Sequence, residues 1–173
     1  MSRGFTLIEL LVVLAIIIIV TGVVSFNINS ERQNSALFRS AQNLSLNLRQ
    51  SQNYALSSKI FGSGGVPCGW GIHFNGVDST SYIIFADLAL SQDCSDRDFV
   101  RAASGSEDFE TVNFESGIKI SVLSNNLSDV VFTTPDPIVT FTPVQSLSSI
   151  TLINNNFVTR VININKTGFI SSP

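Results

Sequence analysis

Residues 5–26 read FTLIELLVVLAIIIIVTGVVSF. The stretch holds one ionisable side chain, Glu9, and is otherwise apolar or neutral. Roughly 22 residues at a rise of about 1.5 Å make about 33 Å of helix, enough to cross a hydrocarbon core of roughly 30 Å. A helix also satisfies its own backbone hydrogen bonds, which lipid cannot do. Everything after Phe26 reads as something carried by this helix.

Glu9 is the anomaly. A carboxylate near a bilayer centre costs on the order of 2.5–3.5 kcal/mol. Glu9 lies only about 6 Å along the helix from Phe5, so one reading places it shallow, with its carboxylate among the headgroups. The other reading has it waiting for a cationic partner from another molecule. The neighbouring residues bear on the choice.

Those neighbours are Gly4-Phe5-Thr6-Leu7-Ile8-Glu9-Leu10, preceded by Met1-Ser2-Arg3. A glycine, a phenylalanine, a glutamate four residues on and then an apolar run resemble the signature of type IV pilins and type II secretion pseudopilins. The resemblance implies cleavage by a prepilin peptidase between Gly4 and Phe5. It also implies N-methylation of Phe5 and a pairing of Glu9 with the amino terminus of a neighbouring subunit during assembly. The physics agrees: cleavage creates a cation at the edge of the apolar run, and an axially shifted neighbour brings it to Glu9. The pair cancels two charges that each helix alone leaves uncompensated. The leader, residues 1–4, is short, with Arg3 as its basic side chain.

The chain has 173 residues and a net charge of −3, and no basic stripe points to nucleic acid. Past the helix there is room for one modest domain with its own core. Charged residues make up only 13%, and mean hydropathy is +0.31; the apolar helix and a β-rich, polar-neutral domain account for both. Arg3 and the initiating amine precede the helix and should stay cytoplasmic. That orientation makes the chain a single-pass inner-membrane protein with its carboxy-terminal domain outside the cytoplasm. A cleavable secretory signal is the competing reading. Its apolar region is normally about 7–15 residues long, and no clear A-x-A site follows here. Cys68 and Cys94 then both lie in an oxidising compartment, where such a pair forms a disulfide. Closing a loop of about 27 residues contributes about 3.5 kcal/mol on the chain-entropy model.

Beyond Phe26 the helix continues to about Lys59. Leu37, Ala41, Leu44, Leu48, Ala55 and Leu56 fall mostly on one face, with Arg32, Arg39, Asn43, Asn47 and Arg49 largely elsewhere. Gly22 and Asn27-Ile28-Asn29-Ser30 are places for a bend. Gly62-Ser63-Gly64-Gly65-Val66-Pro67 reads as the helix stop and a linker. Strand signals follow at 71–74, 82–85, 109–114, 118–123, 130–133, 138–141, 150–153 and 158–164. Asn75-Gly76-Val77-Asp78 and Asn154-Asn155-Asn156 read as turns, and Phe141-Thr142-Pro143 as a strand end.

One long helix followed by many antiparallel strands is α+β. It divides into a leader at 1–4, an assembly helix at 5–26, an amphipathic half at 27–61 that packs on the sheet, and a β-rich domain at 62–173. That plan resembles a pilin. The pieces GIHF, YIIFAD and the late Val161-Ile162-Asn163-Ile164-Asn165-Lys166-Thr167-Gly168-Phe169-Ile170 resemble the H-type minor pseudopilins and their pilus counterparts.

Little in the sequence points to chemistry. His73 is the sole histidine and sits in an alternating strand, where a structural role is the expectation; no nucleophile elbow accompanies the serines. Asp93, Asp96 and Asp98 carry oxygens suited to calcium, but the spacing is not that of an EF-hand and Arg97 sits among them. The expectation is a structural subunit of a secretion pseudopilus or type IV pilus, with other pilin subunits, the prepilin peptidase and the inner membrane as partners and no cofactor. A membrane-anchored module that binds secreted substrate, DNA or an adhesion ligand is the alternative.

Overall fold

The computed structural model describes residues 6–62, 65–89, 94–136 and 138–172, with the backbone alone at 24–29. One helix, α1 (Leu7–Leu56), runs for 50 residues. Its backbone is helical through Gly22 and through 27–30, where a bend was the expectation. It also stops before the glycine-rich segment expected to end it. Ser58 takes a left-handed φ of 49°, Ser58 N–H donates to the Ala55 carbonyl at 3.1 Å, and Lys59 N–H donates to the Tyr54 carbonyl at 3.0 Å. This is a Schellman ending with serine where glycine is usual.

Among the described residues all strand pairings are antiparallel, and the strands form two sheets. The first has the order β3-β2-β1-β5-β6, from Asp108–Asn113, Ser81–Asp87, Gly69–Phe74, Asp129–Thr133 and Val139–Thr142. The second has the order β4-β7-β8-β9, from Lys119–Leu123, Leu147–Ile153, Thr159–Asn165 and Ile170–Ser171. Each expected strand is present, and the short β9 is added. β6 is an edge strand that ends at Thr142, next to Pro143.

Both sheets pack on one stripe of α1. Leu37, Ala41, Leu44, Leu48 and Ala55 are buried in a single core with Trp70, Ile72, Ile84 and Phe132 of the first sheet and Ile150, Leu152, Ile162 and Ile164 of the second. Leu56, expected on this stripe, is 53% exposed, because the Schellman turn begins there and the stripe ends at Ala55. Ser45 and Ser51 share the buried face and donate to the carbonyls of Ala41 and Asn47, each at 3.0 Å. Small satisfied side chains let the helix approach the sheets at no cost in orphaned donors. At the far end Lys59 Nζ lies 3.5 Å from the Tyr54 ring centre and 4.2 Å from that of Phe109, which fastens the helix terminus to the edge of the first sheet by cation–π attraction.

The strands of the second sheet run along the helix. Asn154, just past β7, donates from Nδ2 to Asn34 Oδ1 at 3.0 Å. Gly168, between β8 and β9, sits against Gln52. The β7–β8 turn therefore lies at the end of the domain nearest the apolar half of α1.

The first sheet is covered on both faces. Ile83, Phe85 and Val131 are buried yet lie outside the helix-facing core. Opposite them, a Cβ on Gly71 would come within 2.9 Å of the Phe85 ring and 2.6 Å of the Val130 carbonyl, so only glycine fits. The described part of the connection between β2 and β3 lies over this outer face, where Arg101 N–H donates to Asp129 Oδ1 at 3.3 Å and the Phe99 carbonyl accepts from the Thr142 hydroxyl at 3.3 Å.

Candidate assembly helix and the crosslinked loop

Thr6 caps α1 in a capping box. Its Oγ1 accepts from Glu9 N–H at 3.4 Å, while Glu9 Oε2 accepts from Thr6 N–H at 3.5 Å and from the Thr6 hydroxyl at 3.4 Å. Glu9 is thus held at the positive end of the helix macrodipole, where a carboxylate is favoured. All three contacts are long for hydrogen bonds, and Glu9 is exposed, so a stronger cationic donor can replace them. Gly4 and Phe5 lie outside the described residues.

Around Glu9, every described side chain from Leu7 to Val23 is exposed, with Leu7 at 84% and Ile18 at 70%. The polar residue within the run, Thr21, donates to the Ile17 carbonyl at 2.6 Å, so its hydroxyl places no unmet demand on apolar surroundings. The described apolar side chains span roughly 26 Å of helix. Among the described residues no helix is long and apolar enough to cross a membrane; the sequence run extends further, to Phe26.

Cys68 and Cys94 are bonded to each other, with Cα atoms 5.6 Å apart. The bond ties the β2–β3 connection to the start of β1. Carboxylates hold the rest of that connection down. Glu107 accepts from Leu88 N–H at 2.9 Å and Ala102 N–H at 2.7 Å. Asp129 Oδ1 accepts from Arg101 N–H at 3.3 Å and lies 2.7 Å from His73 Nδ1. Arg101 also pairs with Asp108. His73 is half-buried against Asp129.

Beneath this loop Asp87 is almost fully buried, and among the described residues its carboxylate finds no well-formed hydrogen bond, the Phe99 amide lying close by. Burial, then the charges of Glu107 and Asp98, pushes its carboxyl up to about 6; the Phe99 amide and Arg97 oppose the shift. Sequence reasoning missed the grouping of Asp87, Glu107 and Asp129. Its signal was an acid closing one apolar strand, YIIFAD, and an acid opening another, DVVF.

Of the calcium candidates, Asp98 accepts from Val100 N–H at 3.0 Å, and Asp93 lies outside the described residues. Among the described residues no group of three or more His, Cys, Asp or Glu side chains is arranged to hold a metal ion.

Residues 1–25 match the model of the prokaryotic N-terminal methylation motif. No curated protein and no solved structure matches the chain.

Proposed function

We propose that this chain, which carries the prepilin-type N-terminal methylation motif on a helix packed against antiparallel sheets, is a structural subunit of a type IV pilus or type II secretion pseudopilus, in the minor class. The match over residues 1–25 carries the reading, and the exposed apolar half of α1 supports it. The precursor is held in the inner membrane by residues 5–26, with residues 62–173 outside the cytoplasm and residues 27–61 packed on the sheets. Prepilin peptidase removes residues 1–4, and Phe5 becomes the methylated first residue.

Assembly then follows from electrostatics and burial. The new ammonium of one subunit replaces the Thr6 donors at Glu9 of its neighbour, and the apolar helix surfaces leave lipid for one another. Mass spectrometry of the mature protein should find Phe5 first, bearing one added methyl. Any other first residue overturns the assignment. Glu9→Val should insert in the membrane normally yet enter filaments roughly tenfold less, the factor that about 1.4 kcal/mol of lost pairing represents. Wild-type incorporation would remove Glu9 from the mechanism.

A further inference from the structure

We infer that the membrane-proximal rim of the β-domain, led by Phe157, rests in the phospholipid headgroup layer when the chain is anchored. This rests on the proposed membrane anchoring of residues 5–26 and adds a second lipid contact to it.

The rim is where three connections meet. Asn154 bonds Asn34 of α1, and a Cβ on Gly117 would sit 2.8 Å from Gln33. Asp78 N–H donates to the Ile120 carbonyl of β4 at 2.8 Å. The Asn154–Phe157 turn, the segment before β4 and the β1–β2 turn therefore share one level of the helix. Asn34 lies about 12 Å beyond Phe26 along the axis, and a headgroup layer is roughly 5–7 Å deep on each side. β7 runs towards the apolar half of α1, so the turn after Asn154 extends further in that direction, with Phe157 in it.

The side chains on this rim suit that depth. Phe157 is 86% exposed, Val77 55% and Val158 40%. Phe157 also has a φ of 61°, a left-handed conformation rare for a bulky residue. Buried Asn154 enforces it: its Oδ1 accepts from Asn156 N–H at 3.0 Å and Val158 N–H at 2.9 Å, and its carbonyl accepts from Phe157 N–H at 3.1 Å. A turn that favours glycine thus holds an aromatic ring out into solvent. The neighbours Asn75, Asn155 and Asn156 are uncharged hydrogen-bonding groups. The carboxylates of the turns are paired, Asp78 with Lys119 and Glu115 with Arg39, each at 2.6 Å, and on the helix between the rim and Phe26 exposed Glu31 is followed by exposed Arg32, one charge of each sign. An aromatic tip among neutral polar groups, with no uncompensated anion on the turns, matches the acyl–headgroup boundary, where such rings settle.

The test uses the full chain, one copy per nanodisc of zwitterionic and anionic phospholipid, with Phe157→Trp. Wild-type Trp70 is fully buried and sets the baseline. Lipids brominated near the headgroup should quench the introduced indole at least twofold beyond that baseline, and lipids brominated deep in the chains should quench it less. Leu14→Trp, read in parallel, should show the opposite depth preference. Quenching at position 14 with none at 157 overturns the rim contact and leaves the anchoring intact. No quenching at either position overturns both. Protection of the indole at position 157 that appears only in discs loaded with several copies overturns the lipid contact in favour of a neighbouring chain. Equal melting temperatures for Phe157→Trp and wild type show that the turn survives the substitution.

Discussion

The two halves of α1 are the same secondary structure in opposite circumstances. From Gln33 to Leu56 the helix buries one stripe against two sheets, and its polar residues reach named partners: Arg39 to Glu115, Asn47 to Tyr82, Arg49 to the Ile170 carbonyl. From Leu7 to Val23 no described side chain is buried. An apolar surface of that extent, far above the few hundred Å² a soluble monomer tolerates, calls for a cover that the described residues do not provide. The second half is stabilised from within the molecule. The first has no such support among the described residues, and on the proposed function lipid and then other subunits supply it.

Equivalent truncations in the two halves should separate them most sharply. Leu44 is fully buried in the core, so Leu44→Ala should cost about 2–5 kcal/mol. Leu14 is 51% exposed, so Leu14→Ala should shift the domain's unfolding by less than about 0.5 kcal/mol. Urea titration of the full chain in detergent micelles, followed by Trp70 fluorescence, reads both. Equal shifts would mean that the first half also packs on the domain, and the contrast would be lost.

A smaller contrast lies between the two faces of the first sheet. Apolar packing holds the helix to one face; a crosslink and carboxylates hold the loop to the other. Replacing both Cys68 and Cys94 by serine should cost about 3.5 kcal/mol on the chain-entropy model. Hydrogen exchange should quicken from Leu88 to Glu107 more than in α1. A uniform loss of protection would show that the loop and the helix-facing core open as one unit.

Much of this arrangement was legible in the residues. The 3.6-residue stripe from Leu37 to Ala55 and the alternation from Val158 to Asn165 each mark one buried face. The methylation signature is local in sequence, so it needed no fold to be seen. What stayed hidden depends on tertiary contacts. The run Tyr82–Phe85 does not alternate because both faces of β2 are covered, as its burial shows. Such a run shows that a second cover exists, not which segment supplies it. Division of the strands into two sheets is a matter of pairing, and antiparallel strands can pair across any connection. The helix stop at Ser58 used serine in a left-handed position, which the glycine-rich stretch after it outcompeted as a signal. The bond from the Leu88 amide to Glu107 closes over 19 residues, a distance in sequence that no short motif records.

The smallest expected effect concerns Asp87, and its sign distinguishes the two faces chemically. Its folded-state carboxyl titrates at about 6, above the ordinary value of 3.8. The folded state therefore prefers the neutral acid. The stabilisation this brings is complete below about pH 4 and is lost as pH rises through about 6. Acidification from pH 7 to 5 should strengthen the loop-covered face, while the apolar helix-facing core has no such group to respond. Asp87→Asn, which mimics the neutral acid, should stabilise the domain at pH 7 by on the order of 1–2 kcal/mol and flatten this part of the pH profile. Thermal unfolding of both proteins at pH 5 and 7 measures it. If wild type loses stability on acidification and Asp87→Asn does so in parallel, Asp87 is not the group that titrates, and charge does not set the strength of that face.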